Sequence, residues 1–74
     1  MMDVIDLHGI KHSDVSRVLD EFIWEGMKKK EKVVEVITGK SDQMKRIVTE
    51  LTSEYNLDCY EDSKNEGKII IKLV

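Results

Sequence analysis

VIDLHG, residues Val4 to Gly9, decides how the rest of the chain is read. The run Asp3–Leu7 is short and rich in branched apolar side chains, and Gly9 follows it, so the pattern predicts a strand with a turn after it. From Ser13 onward Val15, Val18, Leu19, Phe22, Ile23 and Met27 recur at three and four residues, which is one stripe of a helix running to about Lys30. Ser13, or a residue just before it, is expected to accept a hydrogen bond from the first-turn amides. Lys28, Lys29 and Lys30 suit the negative end of the helix dipole. The chain thus opens as strand, turn, helix.

Val33, Val34, Val36 and Ile37 predict a second strand of the buried sort, ending at Thr38-Gly39. Met44, Ile47, Val48, Leu51 and Tyr55 return to helical spacing, with Ser41 or Asp42 as the cap. Leu57–Glu61 reads as a short third strand, Asp62–Gly67 as a polar turn, and Lys68–Val74 (KIIIKLV) as the final strand. The order is βαβαββ, an α/β two-layer sandwich with two helices on a mixed four-stranded sheet. A right-handed crossover makes strands one and two parallel, so their C-terminal ends share one edge. Those ends carry Asp6-Leu7-His8-Gly9 and Thr38-Gly39-Lys40-Ser41, and each leads into a helix N-terminus, where free amides and the dipole favour an anion.

The chain has 74 residues, no proline and no repeat or Gly/Ser-rich linker, which reads as a single domain over residues 1–74. A domain this size buries only about 60% of the surface its unfolded chain exposes. Hydrophobic residues at 41% and charged residues at 36% exclude a disordered chain. No apolar run nears the roughly 20 residues that span a bilayer, and no signal-peptide pattern is present. A soluble, intracellular, cytoplasmic domain with no membrane partner is expected. Cys59 is the only cysteine, so an internal disulfide and a paired-cysteine metal site are both excluded. The net charge of −3 gives no global attraction to a polyanion, and nucleic-acid binding would need a local basic patch.

Two residues apart on a strand, Asp6 and His8 are expected on the same face with Leu7 opposite. A carboxylate beside an imidazole can fix its tautomer and leave His8 as general acid or base toward a phosphodiester. The plainer reading is a strand-end hydrogen-bond pair that ties down the following turn. Thr38-Gly39-Lys40-Ser41 looks like the end of a nucleotide-binding P-loop, but Val34 stands where that motif needs its first glycine, so the P-loop reading fails. Gly39 can instead bring backbone amides near a phosphate while Lys40 supplies a point charge; otherwise the pair is a glycine turn and a solvated lysine. Lys11, His12, Lys45 and Arg46 widen the positive patch, and Asp14 and Asp42 weaken it. The Lys28–Lys30 run with Lys32 lies at the far end of the first helix and reads as a solvated helix end. One His and one Asp are too few for a dedicated zinc site, so no cofactor is required, and a weakly held magnesium sharing the phosphate is compatible with the pattern.

Four stretches then combine: Asp6-Leu7-His8-Gly9 after strand one, Asp20-Glu21-Phe22 in helix one, Thr38-Gly39-Lys40 after strand two, and Asn65-Glu66-Gly67-Lys68-Ile69-Ile70-Ile71 at the end. Their combination resembles the Smr (small MutS-related) domain over nearly the whole chain. The resemblance implies a nucleic-acid endonuclease, nicking DNA or cleaving RNA, with an Asp-x-His and a Gly-x-Gly motif at its site. Carried over by position, Asp6 and His8 are the catalytic candidates. Gly9, Lys11, His12, Thr38, Gly39, Lys40, Ser41, Lys45 and Arg46 are the candidates for holding the phosphate backbone. The chain departs from the family pattern where Ser41 and Asp42 follow Lys40 in place of a glycine and a further small residue, and the loop is about one residue shorter. Two alternatives follow: a non-catalytic nucleic-acid-binding module, and a small protein-interaction domain.

Trp24 belongs to neither motif. At 100° per residue it lies roughly 150° from the centre of the first helix's apolar stripe, which predicts exposure. A contact to a partner protein or a second copy is one reading; a ring lying flat over long neighbouring side chains is the other. Cys59 alternates with Leu57 and is expected as a small buried apolar residue.

Overall fold

The computed structural model describes residues 3–74. Its elements are β1 (Val4–Asp6), α1 (His12–Lys28), β2 (Val33–Ile37), α2 (Asp42–Glu54), β3 (Cys59–Asp62) and β4 (Asn65–Lys72). The strands form a four-stranded sheet in the order β1-β2-β4-β3. β1 and β2 are parallel, with Asp6 beside Ile37, and the other two pairings are antiparallel. The fold is therefore the α/β arrangement expected, two helices on a mixed sheet.

One face of the sheet carries the helices. Leu7, Val34, Val36, Ile69 and Ile71 point to it and meet Val15, Leu19 and Ile23 of α1 and Met44 and Val48 of α2. Because only this face is covered, β2 alternates half-buried Val33, Glu35 and Ile37 with buried Val34 and Val36, and is not buried on both sides as its apolar run suggested. Glu35, on the open face, meets Lys68 of β4 at 3.6 Å.

Several boundaries differ from the sequence reading, each for a local reason. The N-cap of α1 is Lys11, whose side chain makes no capping bond, and Ser13 lies inside the helix; the Lys11 carbonyl accepts from Asp14 N instead. β4 begins at Asn65, so the polar turn shrinks to Ser63-Lys64, closed by Lys64 N donating to Asp62 Oδ1 at 2.9 Å. Antiparallel pairing to β3 holds the polar residues Asn65 and Glu66 in the sheet, which periodicity could not show. β3 starts at Cys59, and Cys59 is half-buried rather than enclosed because β3 is an edge strand. Tyr55 is the C-cap of α2 and exposed; the buried position on that turn belongs to Thr52, whose hydroxyl donates to the Val48 carbonyl. At the far end of α1, Lys29 bridges to Asp3 at 3.2 Å. No helix among the described residues is long and apolar enough to cross a membrane.

Candidate nucleic-acid interface

β1 and β2 run in register, so the chain leaves both strands at the same edge. The two loops that follow form a cleft of about 470 Å³, lined by His8, Gly9, Ile10, Lys11, His12, Thr38, Ser41 and Met44. Its apolar floor is Met44 and half-buried Ile10, and its walls carry two imidazoles and one ammonium. Two histidines and a lysine around an apolar floor can hold an anion and move a proton.

Asp6 stands at the end of β1, and His8 has already left the strand. The two are therefore not a same-face strand pair. Asp6 Oδ1 accepts from the main-chain N–H of His8 at 2.9 Å, and among the described residues no hydrogen bond joins that carboxylate to the His8 ring. This is a local side-chain turn of the kind aspartate favours, closing the chain as the strand ends. Its effect is on where His8 sits. A second bond, Ile10 N to Leu7 O at 3.0 Å, completes the turn before α1.

Gly39 provides the seat for the His8 ring. Its φ is +68°, in the left-handed region, and a Cβ built on it would come within 3.1 Å of His8 Cδ2. Gly39 N–H is not free for a phosphate, because it donates to Gly67 O at 3.2 Å, and Thr38 N donates to the same carbonyl at 2.8 Å. Thr38 is buried at the cleft wall, and its hydroxyl donates to Gly39 O at 2.8 Å, which ties the loop together. Gly67, the third residue of β4, is a site residue that the sequence placed only in the closing stretch of the family resemblance and not among the phosphate-binding candidates. A Cβ there would lie 3.3 Å from both Gly39 Cα and Asn65 Oδ1, and its own N–H donates to Asn65 Oδ1 at 2.8 Å. A lone glycine inside a strand pattern is the available signal for such a close approach.

Ser41 explains the departure from the Gly-x-Gly pattern. It is the N-cap of α2, and its Oγ accepts from Met44 N at 3.1 Å. The amides of Asp42 and Gln43 in that first turn have no intrahelical acceptor and point out of the helix end. Lys40 is exposed between Gly39 and this cap, and Lys11 and His12 are exposed at the start of α1. Lys40 adjoins Ser41 without itself lining the cleft, and neither of the remaining basic candidates lines it. Lys45 turns to β3 and pairs with Glu61 at 3.2 Å, while exposed Arg46 does not line the cleft. Gly9 has φ +88° with open space around it, so it contributes the turn and leaves the entrance clear. Among the described residues no three His, Cys, Asp or Glu side chains come together as a metal-ligand set.

The fold is thus a two-layer α/β domain whose parallel strand ends bring imidazoles, a lysine and a helix N-terminus to one cleft, an arrangement with the chemistry to accept an anion. Compared with known families, the chain matches the Smr domain over residues 5–73, and it belongs to that family, which is associated with nucleic-acid binding and endonuclease activity. Searches of curated proteins and of solved structures give no significant match.

Proposed function

We propose that this Smr domain cuts phosphodiester bonds of DNA or RNA in the cleft between the β1–α1 and β2–α2 loops. The observation that carries the reading is that His8, His12, Lys11 and the capped N-terminus of α2 border one cleft at the C-terminal edge of the parallel pair. An attacking hydroxyl, from water or from a neighbouring ribose, gives its proton to the His8 imidazole. Its oxygen bonds to phosphorus as the bond to the leaving strand's oxygen breaks, and that oxygen takes a proton from His12 or from solvent. Lys11, Lys40 and the first-turn amides of α2 offset the charge that builds on the phosphate. Asp6 is a positioning residue: it sets the turn that carries His8. A magnesium ion, where one takes part, would be shared with the phosphate.

The alternative is a binding module without turnover. It is favoured by the Gly39 amide already committed to Gly67 O and by Ser41 standing where the family has glycine. The two readings separate in one assay: end-labelled single- and double-stranded RNA and DNA, with and without chelator, comparing the native chain with His8→Ala. Cutting that is lost in His8→Ala supports the endonuclease. Retained low-salt binding with no cutting of any substrate, by contrast, assigns the domain to the binders.

A further inference from the structure

Trp24 is 62% exposed, and exposed Met27 and Tyr55 stand with it around a crevice of about 70 Å³ that Asp20 and Ile23 also line. Tryptophan, tyrosine and methionine are the residue types concentrated at the centres of protein contacts, and here two helices bring one of each to a single spot. The charges beside the patch say what covers it. Asp20 and Lys28 lie four residues before and four after Trp24 on α1, one turn away on either side along the same face. Asp20 has no ion-pair partner among the described residues, and Lys28 has only Glu25 at 3.8 Å, with both side chains more than half exposed.

We propose that this face binds a second copy of the chain, α1 against α1, antiparallel across a two-fold axis at Trp24. In that arrangement residue 24 meets residue 24, and Asp20 of each copy faces Lys28 of the other, giving two reciprocal ion pairs around an aromatic centre. A parallel pairing would set Asp20 against Asp20 and Lys28 against Lys28, so the charge pattern selects the antiparallel one. The patch is small, so association is weak and concentration-dependent. Twelve residues separate His12 from Trp24, about 18 Å along the helix, so the contact leaves both clefts open, one at each end of the pair.

The test is sedimentation velocity over a concentration series up to about 1 mM, where even weak association shows, together with the emission of Trp24, the only tryptophan. The 8.6 kDa chain is expected to shift toward twice that mass as concentration rises, with Trp24 emission moving to shorter wavelength in step. Asp20→Lys alone and Lys28→Asp alone should each weaken association at least tenfold. Mixing those two variants restores opposite charges at both contacts, and heterodimer should reappear. A native chain that stays monomeric overturns the proposal, as does a mixture that associates no better than either variant by itself.

Discussion

The loop from His8 to Lys11 is held by residues adjacent to it in sequence, whereas the loop from Thr38 to Ser41 is fixed from β4 and from α2. In the first, the Asp6 carboxylate takes the His8 amide and Leu7 O takes the Ile10 amide, and the helix that follows has no side-chain cap. In the second, Gly67 O takes two amides and Ser41 caps the helix. The difference divides the labour: the second loop is a scaffold, and the first presents ionisable groups against it. His8 rests on Gly39, so the scaffold's one unusual backbone conformation is also the seat of the proposed acid-base group.

Substitutions can break this division one loop at a time, and the largest effect is expected in the first loop. His8→Ala should reduce cleavage by about 100-fold or more, the usual contribution of a positioned acid-base group, while circular dichroism and melting temperature stay near native, because His8 is exposed. Gly39→Ala comes next. It places an L side chain at φ +68° and a Cβ 3.1 Å from His8 Cδ2. A loss of about 1–2 kcal/mol in urea titration is expected for the backbone alone, with cleavage falling as the His8 ring is displaced.

Ser41 tests the scaffold more gently. Ser41→Ala should cost about 1 kcal/mol through the lost cap, and Ser41→Gly only a few tenths. Ser41→Gly also restores the family's glycine, so equal or faster cleavage at nearly native stability is the outcome expected of an intact scaffold. Lys40→Ala should weaken low-salt binding of all sequences alike and lower the salt dependence by about one counterion, read by fluorescence anisotropy at several salt concentrations. The smallest change is expected for Asp6→Asn, whose amide oxygen can still accept from His8 N–H. Activity within a few-fold of native would place the role of Asp6 in the turn; a collapse equal to that of His8→Ala would instead mean that its charge acts on the imidazole.

Much of the frame was legible because it depends on local patterns. Val33–Ile37 ends just before Thr38-Gly39, and the cap of α2 was narrowed to Ser41 or Asp42, of which Ser41 is the one, because a hydroxyl or carboxylate before an amphipathic run can satisfy first-turn amides. The parallel first pair followed from the handedness of the crossover, which puts His8 and Gly39 on one edge. What could not be read depends on partners distant in sequence. Gly67 acts on Gly39 from 28 residues away, and Lys45 is taken by Glu61 across the β3 edge; neither contact has a periodic signature. The Asp6–His8 relation failed for a smaller reason. The strand ends at Asp6, two residues short of His8, so the alternation rule does not reach the imidazole, and an aspartate at a strand end bonds the amide two residues on.

The most direct test of a phosphate cleft at this edge is an NMR titration that follows the imidazole signals of His8 and His12, the only histidines, and the Trp24 indole, as a short oligonucleotide is added at low salt. Movement of both imidazoles at a shared saturation point, with the indole unmoved, is the result expected if the nucleic-acid backbone lies across the two loops. Saturable binding that leaves both imidazoles where they were, or that moves the indole first, would contradict it and put the contact elsewhere on the molecule.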